Sequence, residues 1–159
     1  MDEPDISDHT VAEIQLIKLD RYHSFVNEQV AAQSKWLTAS LLAINGAGGL
    51  ATLEVIKAGH TAFLSGSMFL AGLTAALLSG TALQEVYNRS SGLYDEAFGY
   101  WLAVKHGQSR IESEESDRSD RAGKINRWNF LPPLIGWISG LLFLCGSITL
   151  AVQSSPSVA

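Results

Sequence analysis

The chain has 159 residues, the size of one domain, with a formal net charge of −5, a single cysteine and only 17% charged residues, against about 25% in an ordinary soluble domain. Three runs, 37–53, 58–83 and 129–152, contain no Asp, Glu, Lys or Arg. These facts exclude an ordinary soluble globular domain, a nucleic-acid binder built on a basic surface, and a disulfide-stapled secreted module.

The N-terminal stretch carries Asp2, Glu3, Asp5 and Asp8, the wrong sign for the n-region of a signal peptide. The first apolar segment is therefore expected to act as an internal insertion signal. No Gly or Pro lies between Asp5 and Gly46, so one helix is expected from about Thr10 into the first span. Residues 1–35 form its amphipathic part. Val11, Ile14, Leu19, Tyr22, Phe25 and Val26 gather on one side and Glu13, Asp20, Ser24, Asn27 and Glu28 on the other, with Ile17 out of pattern. Such a helix packs on another helix of the same protein or of a neighbour. A membrane-surface helix is the weaker alternative, because its polar face would be basic rather than acidic.

The first transmembrane helix is expected over 36–56, the second over 58–83 and the third over 129–152. The apolar lengths correspond to about 27, 39 and 36 Å at about 1.5 Å per residue, enough for a hydrocarbon core of about 30 Å. In lipid these segments have to be helical, since an open strand would leave its backbone polar groups unpaired. The first two are joined by a tight helical hairpin through Gly59. Asn129 is expected to cap the third helix, with Pro132 and Pro133 in its first turn, where proline removes donors that are unpaired anyway.

Between spans two and three, residues 84–128 read as a helical connection. The second span continues through Arg89, and Ser90-Ser91-Gly92 is expected to break it. A second amphipathic helix follows, with Leu93, Ala97, Tyr100, Trp101 and Val104 at helical spacing and Tyr94 and Phe98 beside them. Residues 107–123 read as a solvated helix, with Ser109 and Glu112 at capping-box spacing, or equally as a mobile linker.

Orientation follows from the basic residues. Lys18, Arg21, Lys35, Arg89, Lys105, Arg110, Arg118, Arg121, Lys124 and Arg127 share one side, and Lys57 alone lies on the other. The positive-inside rule places the N-terminus and the connection in the cytoplasm and the uncharged tail 153–159 outside. The sequon Asn88-Arg89-Ser90 then faces the cytoplasm and is not a glycosylation site. The fold class is an all-α membrane protein with three transmembrane helices, a long N-terminal amphipathic helix and a cytoplasmic helical connection.

No phosphate loop, nucleophile elbow, zinc helix or cysteine pair is present. His9, His23, His60 and His106 form no cluster in the sequence. No catalytic residue, cofactor or metal site is expected, and no enzyme. The informative residues are small ones. Gly136 and Gly140 form a GxxxG in the third span. Ser67, Ala71, Ala75 and Ser79 form one ridge on the second, and Gly72, Ala76 and Gly80 another. The first span carries Asn45, Gly46 and Gly49, and Asn45 near mid-membrane calls for an interhelical partner. Such ridges either hold the helices of one subunit together or join copies, and two on one helix exceed what three helices need. No charge interrupts a span, which argues against a proton-coupled carrier or a voltage sensor. Three helices cannot enclose an aqueous path, so a pore would need several subunits. On the cytoplasmic side Tyr22, Phe25, Tyr94, Phe98 and Trp101 are candidate docking residues for a protein partner or a signal ligand. Core packing and an interfacial aromatic belt are the plainer readings of the same residues.

The helix running into Lys35-Trp-Leu-Thr-Ala-Ser-Leu-Leu-Ala-Ile-Asn-Gly46, the tight hairpin and the third span after a charged connection together resemble small bacterial multi-pass inner-membrane proteins. Some of those act as membrane-disrupting effectors in antiphage defence. The layout also resembles three-span phage holins, although the uncharged tail departs from their basic one. The resemblance implies an oligomeric, signal-triggered, membrane-perturbing or pore-forming protein of the bacterial inner membrane. Its partners would be membrane lipid, further copies of itself, and a cytoplasmic protein or signal ligand, with no nucleic acid. The alternative is a non-conducting membrane anchor or accessory subunit that docks a partner through its cytoplasmic helices.

Overall fold

The computed structural model describes residues 8–25, 28 and 31–154. These form α1 (Asp8–Phe25), α2 (Ala31–Lys57), α3 (Phe63–Lys105), α4 (Glu112–Asn126) and α5 (Leu131–Ser154), with no strand among the described residues. Among the described residues three helices are long and apolar enough to cross a membrane. Four of the residues between α1 and α2 (26, 27, 29 and 30) lie outside the described set, as therefore does the expected run of the N-terminal helix into the first span. The chain divides into two compact units, Met1–Ala32 with Glu85–Asn129 and Gln33–Gln84 with Phe130–Ala159. We refer to them as the charged unit and the apolar unit.

In the apolar unit α2 and α3 form the expected hairpin. α2 closes with a left-handed residue, Gly59 at φ 89°. The His60 amide donates to the Val55 carbonyl (3.2 Å) and the Gly59 amide to that of Ile56 (2.9 Å), the two bonds of a Schellman motif. This cap consumes residues 58–62, so the second helix starts at Phe63 rather than at the beginning of its apolar run. α3 ends the same way. Gly107 lies at φ 102°, with Gly107 N–H donating to Val104 (3.0 Å) and Gln108 N–H to Ala103 (3.0 Å). A side chain at either glycine would be forced into the left-handed region at about 1–2 kcal/mol.

Several local expectations are corrected. Ser90-Ser91-Gly92 does not interrupt α3, which runs unbroken from Phe63 to Lys105. Gly92 is exposed and costs that helix only about 1 kcal/mol. The packed face formed by Leu93, Tyr94, Ala97, Tyr100 and Val104 outweighs it. Residues 112–126 are helical, and Ser109–Glu112 is not used as a capping box: the N-cap is Ile111, with no side-chain cap. Its amide is instead donated to the Tyr100 hydroxyl at 2.9 Å. Asn129 does not cap α5. That helix begins at Leu131, and Asn129 donates to Asn126 Oδ1 at 2.9 Å.

The inward face of α1 is also rotated from the expected one. Ala12 is fully buried, and Gln15, Leu16, Leu19 and His23 are half-buried on the same side, whereas Ile14, Tyr22 and Phe25 are exposed. Small Ala12 seats against Tyr100 and Val104 in the core of this unit, with Trp101 packed on it. A bulky side chain at position 12 would hold the helices apart.

Candidate functional site

Asn45 is the polar centre of the apolar unit, 1% exposed. Both of its amide protons are used. Nδ2 donates to the Leu41 carbonyl within α2 at 2.9 Å and to Ser139 Oγ on α5 at 3.2 Å. Ser139 in turn donates to the Gly72 carbonyl of α3 at 2.8 Å. The three apolar helices are thus tied by one relay through side chains that have no water to fall back on. Among the described residues Asn45 Oδ1 has no hydrogen-bond partner; it lies against the Cα of Gly72, where a Cβ would overlap it. A second bond, Ser79 Oγ to the Pro132 carbonyl at 2.7 Å, joins α3 to the first turn of α5.

The small residues divide by face. Gly72 and Ala76 are buried, and Gly80 faces Thr38, whose Cγ2 would lie 3.1 Å from an added Cβ. Gly136 is buried, and a Cβ there would meet Ser79 Oγ at 3.5 Å and Leu41 at 3.7 Å. Gly140 is looser, with Leu41 at 4.0 Å, and Gly46 and Gly49 meet nothing within 4 Å. Ser67 and Ala71 are exposed and Ala75 is half-buried. One ridge of α3 is therefore used inside the subunit, and the other is divided: its Ser67–Ala71 end is left outside while Ser79 is buried. Phe69, 1% exposed, fills the space that glycines vacate. Its ring overlaps the position of a Cβ on Gly48, lies 3.0 Å from that of Gly146, and packs on Phe143 with centroids 5.9 Å apart.

A groove of about 490 Å³ runs between α2 and α5, lined by Ala47, Gly48, Ala51, Phe143, Ser147 and Ala151.

In the charged unit α4 buries no residue, so polar contacts hold it. Tyr100, 7% exposed, is the node. Its hydroxyl donates to Glu115 Oε1 at 2.8 Å while accepting from Ile111, and the Arg118 guanidinium lies 3.7 Å over its ring. Arg110 grips Glu115 through two bonds, 3.0 and 2.9 Å. Arg121 pairs with Glu96 at 2.8 Å and Asp117 at 3.1 Å. The Arg110 bonds, aided by the Tyr100 hydroxyl, hold the Glu115 carboxyl below the usual carboxylate range. Burial, reinforced by Glu115, pushes the Tyr100 phenol up.

The lowered Glu115 value has a consequence for stability. Folding favours its ionised form, so the contribution is complete above the ordinary carboxylate pKa of about 4.3 and is lost as pH falls through the lowered value. Amide-exchange protection of 112–126 is expected to be flat from pH 7 to about 5 and to decline below about 4. Glu115→Gln is expected to remove that decline, and an unchanged profile in the variant would contradict the assignment to Glu115.

Of the aromatic docking candidates, Tyr22 and Phe25 are 62% and 53% exposed. Tyr94 stacks on His23 with centroids 4.1 Å apart and on Phe98 at 5.8 Å, and Trp101 lies edge-on to Tyr100 at 5.1 Å. Tyr22 and Tyr94 also line a pocket of about 420 Å³ with Leu19, Leu93, Arg118 and Asn126, within the size range of small-molecule sites. Among the described residues no group of three or more His, Cys, Asp or Glu is placed to hold a metal ion.

Sequence reasoning missed Ser139 and Phe69. Ser139 is the one hydroxyl between Gly136 and Gly140, a signal available in the span itself. Phe69 carries no such mark: its partners are glycines on two other helices. No family model, curated protein or solved structure matches the chain.

Proposed function

We propose that this chain is a small integral membrane protein that self-associates through its outward small residues and perturbs or permeabilises the membrane when its charged unit receives a signal. It belongs in the bacterial inner membrane, with the N-terminus and residues 84–128 in the cytoplasm and the C-terminus outside. The observation that carries this reading is the division of the α3 ridges. Gly72, Ala76 and Gly80 are consumed within the subunit, whereas Ser67 and Ala71 are exposed. Small exposed residues on a lipid-facing helix allow the close backbone approach that drives association where hydrophobicity cannot. The groove between α2 and α5 offers a second small-residue face to a neighbouring helix. The pocket beside Tyr94 and Arg118 is the place for a trigger of small-molecule size. The resemblance to antiphage effectors agrees with this arrangement, and no step of it needs catalysis or a cofactor.

Induction in a bacterium loaded with a potential-sensitive dye tests the reading. Depolarisation is expected for the wild type and its loss for Ala71→Leu at equal membrane abundance. Ala71 is exposed, so the substitution leaves the inner packing untouched. Depolarisation by the variant equal to that of the wild type would remove Ala71 from the account.

The exposure of Tyr22 and Phe25 favours a second reading, a non-conducting anchor or accessory subunit. Stoichiometric co-purification of one partner without leakage, abolished by Tyr22→Ala and Phe25→Ala together, would select it.

A further inference from the structure

The charged unit holds a second concavity, a groove of about 360 Å³ between α3 and α4, lined by Asn88, Arg89 and Gly92 on one side and Arg121 and Lys124 on the other, with Glu96 the one carboxylate among the described residues of its wall. Three cations thus face one anion. Arg121 is committed to Glu96 and Asp117. Among the described residues Arg89 pairs only with Glu85, and both partners of that pair are about 60% exposed (62% and 59%), a weak tie that a better anion displaces. Lys124 has no ion-pair partner among the described residues. Nothing would lie within 4 Å of a Cβ on Gly92, so that wall of the groove is open.

The level along the chain is that of lipid headgroups. Arg89 follows Leu83, the last residue of the uncharged run, by six positions on one continuous helix, a rise of about 9 Å. That is just past the headgroup layer, which extends about 5–8 Å beyond the hydrocarbon core, and within reach of it for a long arginine side chain. Trp128, 60% exposed, follows Lys124 by four residues and is the residue type that sits at this layer. A basic cleft at headgroup level, with an arginine fork suited to phosphoryl oxygens, fits a phosphodiester better than a carboxylate-bearing peptide.

We propose that this groove binds the headgroup phosphate of an anionic phospholipid, with Arg89 and Lys124 as its charge partners and Asn88 as a neutral donor. The inference needs the chain to lie in a membrane. It does not need the copies to associate, so it stands or falls apart from the effector reading.

The full chain, purified in detergent and stripped of lipid, is titrated with short-chain phosphatidylglycerol, short-chain phosphatidylcholine or inorganic phosphate while its thermal unfolding is followed. A saturable rise in Tm with phosphatidylglycerol alone is expected. Arg89→Gln and Lys124→Gln are each expected to weaken the half-saturation concentration about five-fold, and about 25-fold together. Both residues are exposed, so the variants keep the fold. Lys18→Gln, which removes an exposed cation of α1, is expected to titrate like the wild type. An equal response to phosphatidylcholine would overturn the proposal. So would an equal response to inorganic phosphate, or an undiminished response in the double variant.

Discussion

Phe69→Ala is expected to destabilise the apolar unit by about 3–5 kcal/mol, measured as unfolding free energy in bicelles. Phe69 is the largest fully buried side chain. It occupies the void left by Gly48 and Gly146 and touches Phe143. Between helices in lipid the loss is not one of hydrophobic transfer, because lipid is as apolar as the core; it is the loss of close packing itself. Phe69→Leu fills part of the space and is expected to cost less than half as much. A cost below about 1 kcal/mol for the alanine variant would mean that the three helices do not meet around this ring.

The second large effect is expected at Gly72. Gly72→Leu places a Cβ on Asn45 Oδ1, so the amide has to move and the bond to Ser139 is lost. Overpacking of about 1–3 kcal/mol adds to the loss of the relay. Gly72→Ala is expected to share most of the cost, because the first carbon is already the colliding atom. Asn45→Leu should be far milder, about 1 kcal/mol or less. It removes one interhelical bond, typically worth about 0.6 kcal/mol in a membrane, and with it an acceptor that has no partner. The order Gly72→Leu well above Asn45→Leu, read by the same unfolding assay, is the signature of a glycine kept for its neighbour. The reverse order would make the hydrogen bonds, not the close approach, the main tie.

The three apolar helices and the hairpin were legible because solvent dictates them: runs of 17, 26 and 24 residues without Asp, Glu, Lys or Arg have few other fates. The need of Asn45 for a partner was legible too, since a buried amide in lipid has no water. Its partner Ser139 was not, because helix rotation decides which hydroxyl arrives, and rotation is set by packing on helices distant in sequence. The same limit applies to the two ridges of α3. The residues were visible as small, but which ridge turns inward depends on where Asn45 and Thr38 come to lie. The face of α1 was misplaced for a related reason. Its bulky apolar residues suggested the wheel, whereas Ala12 marks the contact, because a small residue permits the closest approach. At Ser90-Ser91-Gly92 local propensity argued for a break and tertiary packing from Leu93 to Val104 overrode it. The Ser109–Glu112 spacing misled because Tyr100, eleven residues before Ile111, supplies the group that meets the first amide of α4.

Self-association through the outward ridge of α3 is the claim on which the proposed function rests. Its most direct test is the number of copies held together in native lipid, counted by stepwise photobleaching of a singly labelled chain in lipid nanodiscs excised from the expressing membrane. More than one copy for the wild type, falling to one for Ala71→Leu while Lys18→Gln stays unchanged, is the result predicted. A wild type that bleaches in a single step would contradict self-association and leave the anchor reading in its place.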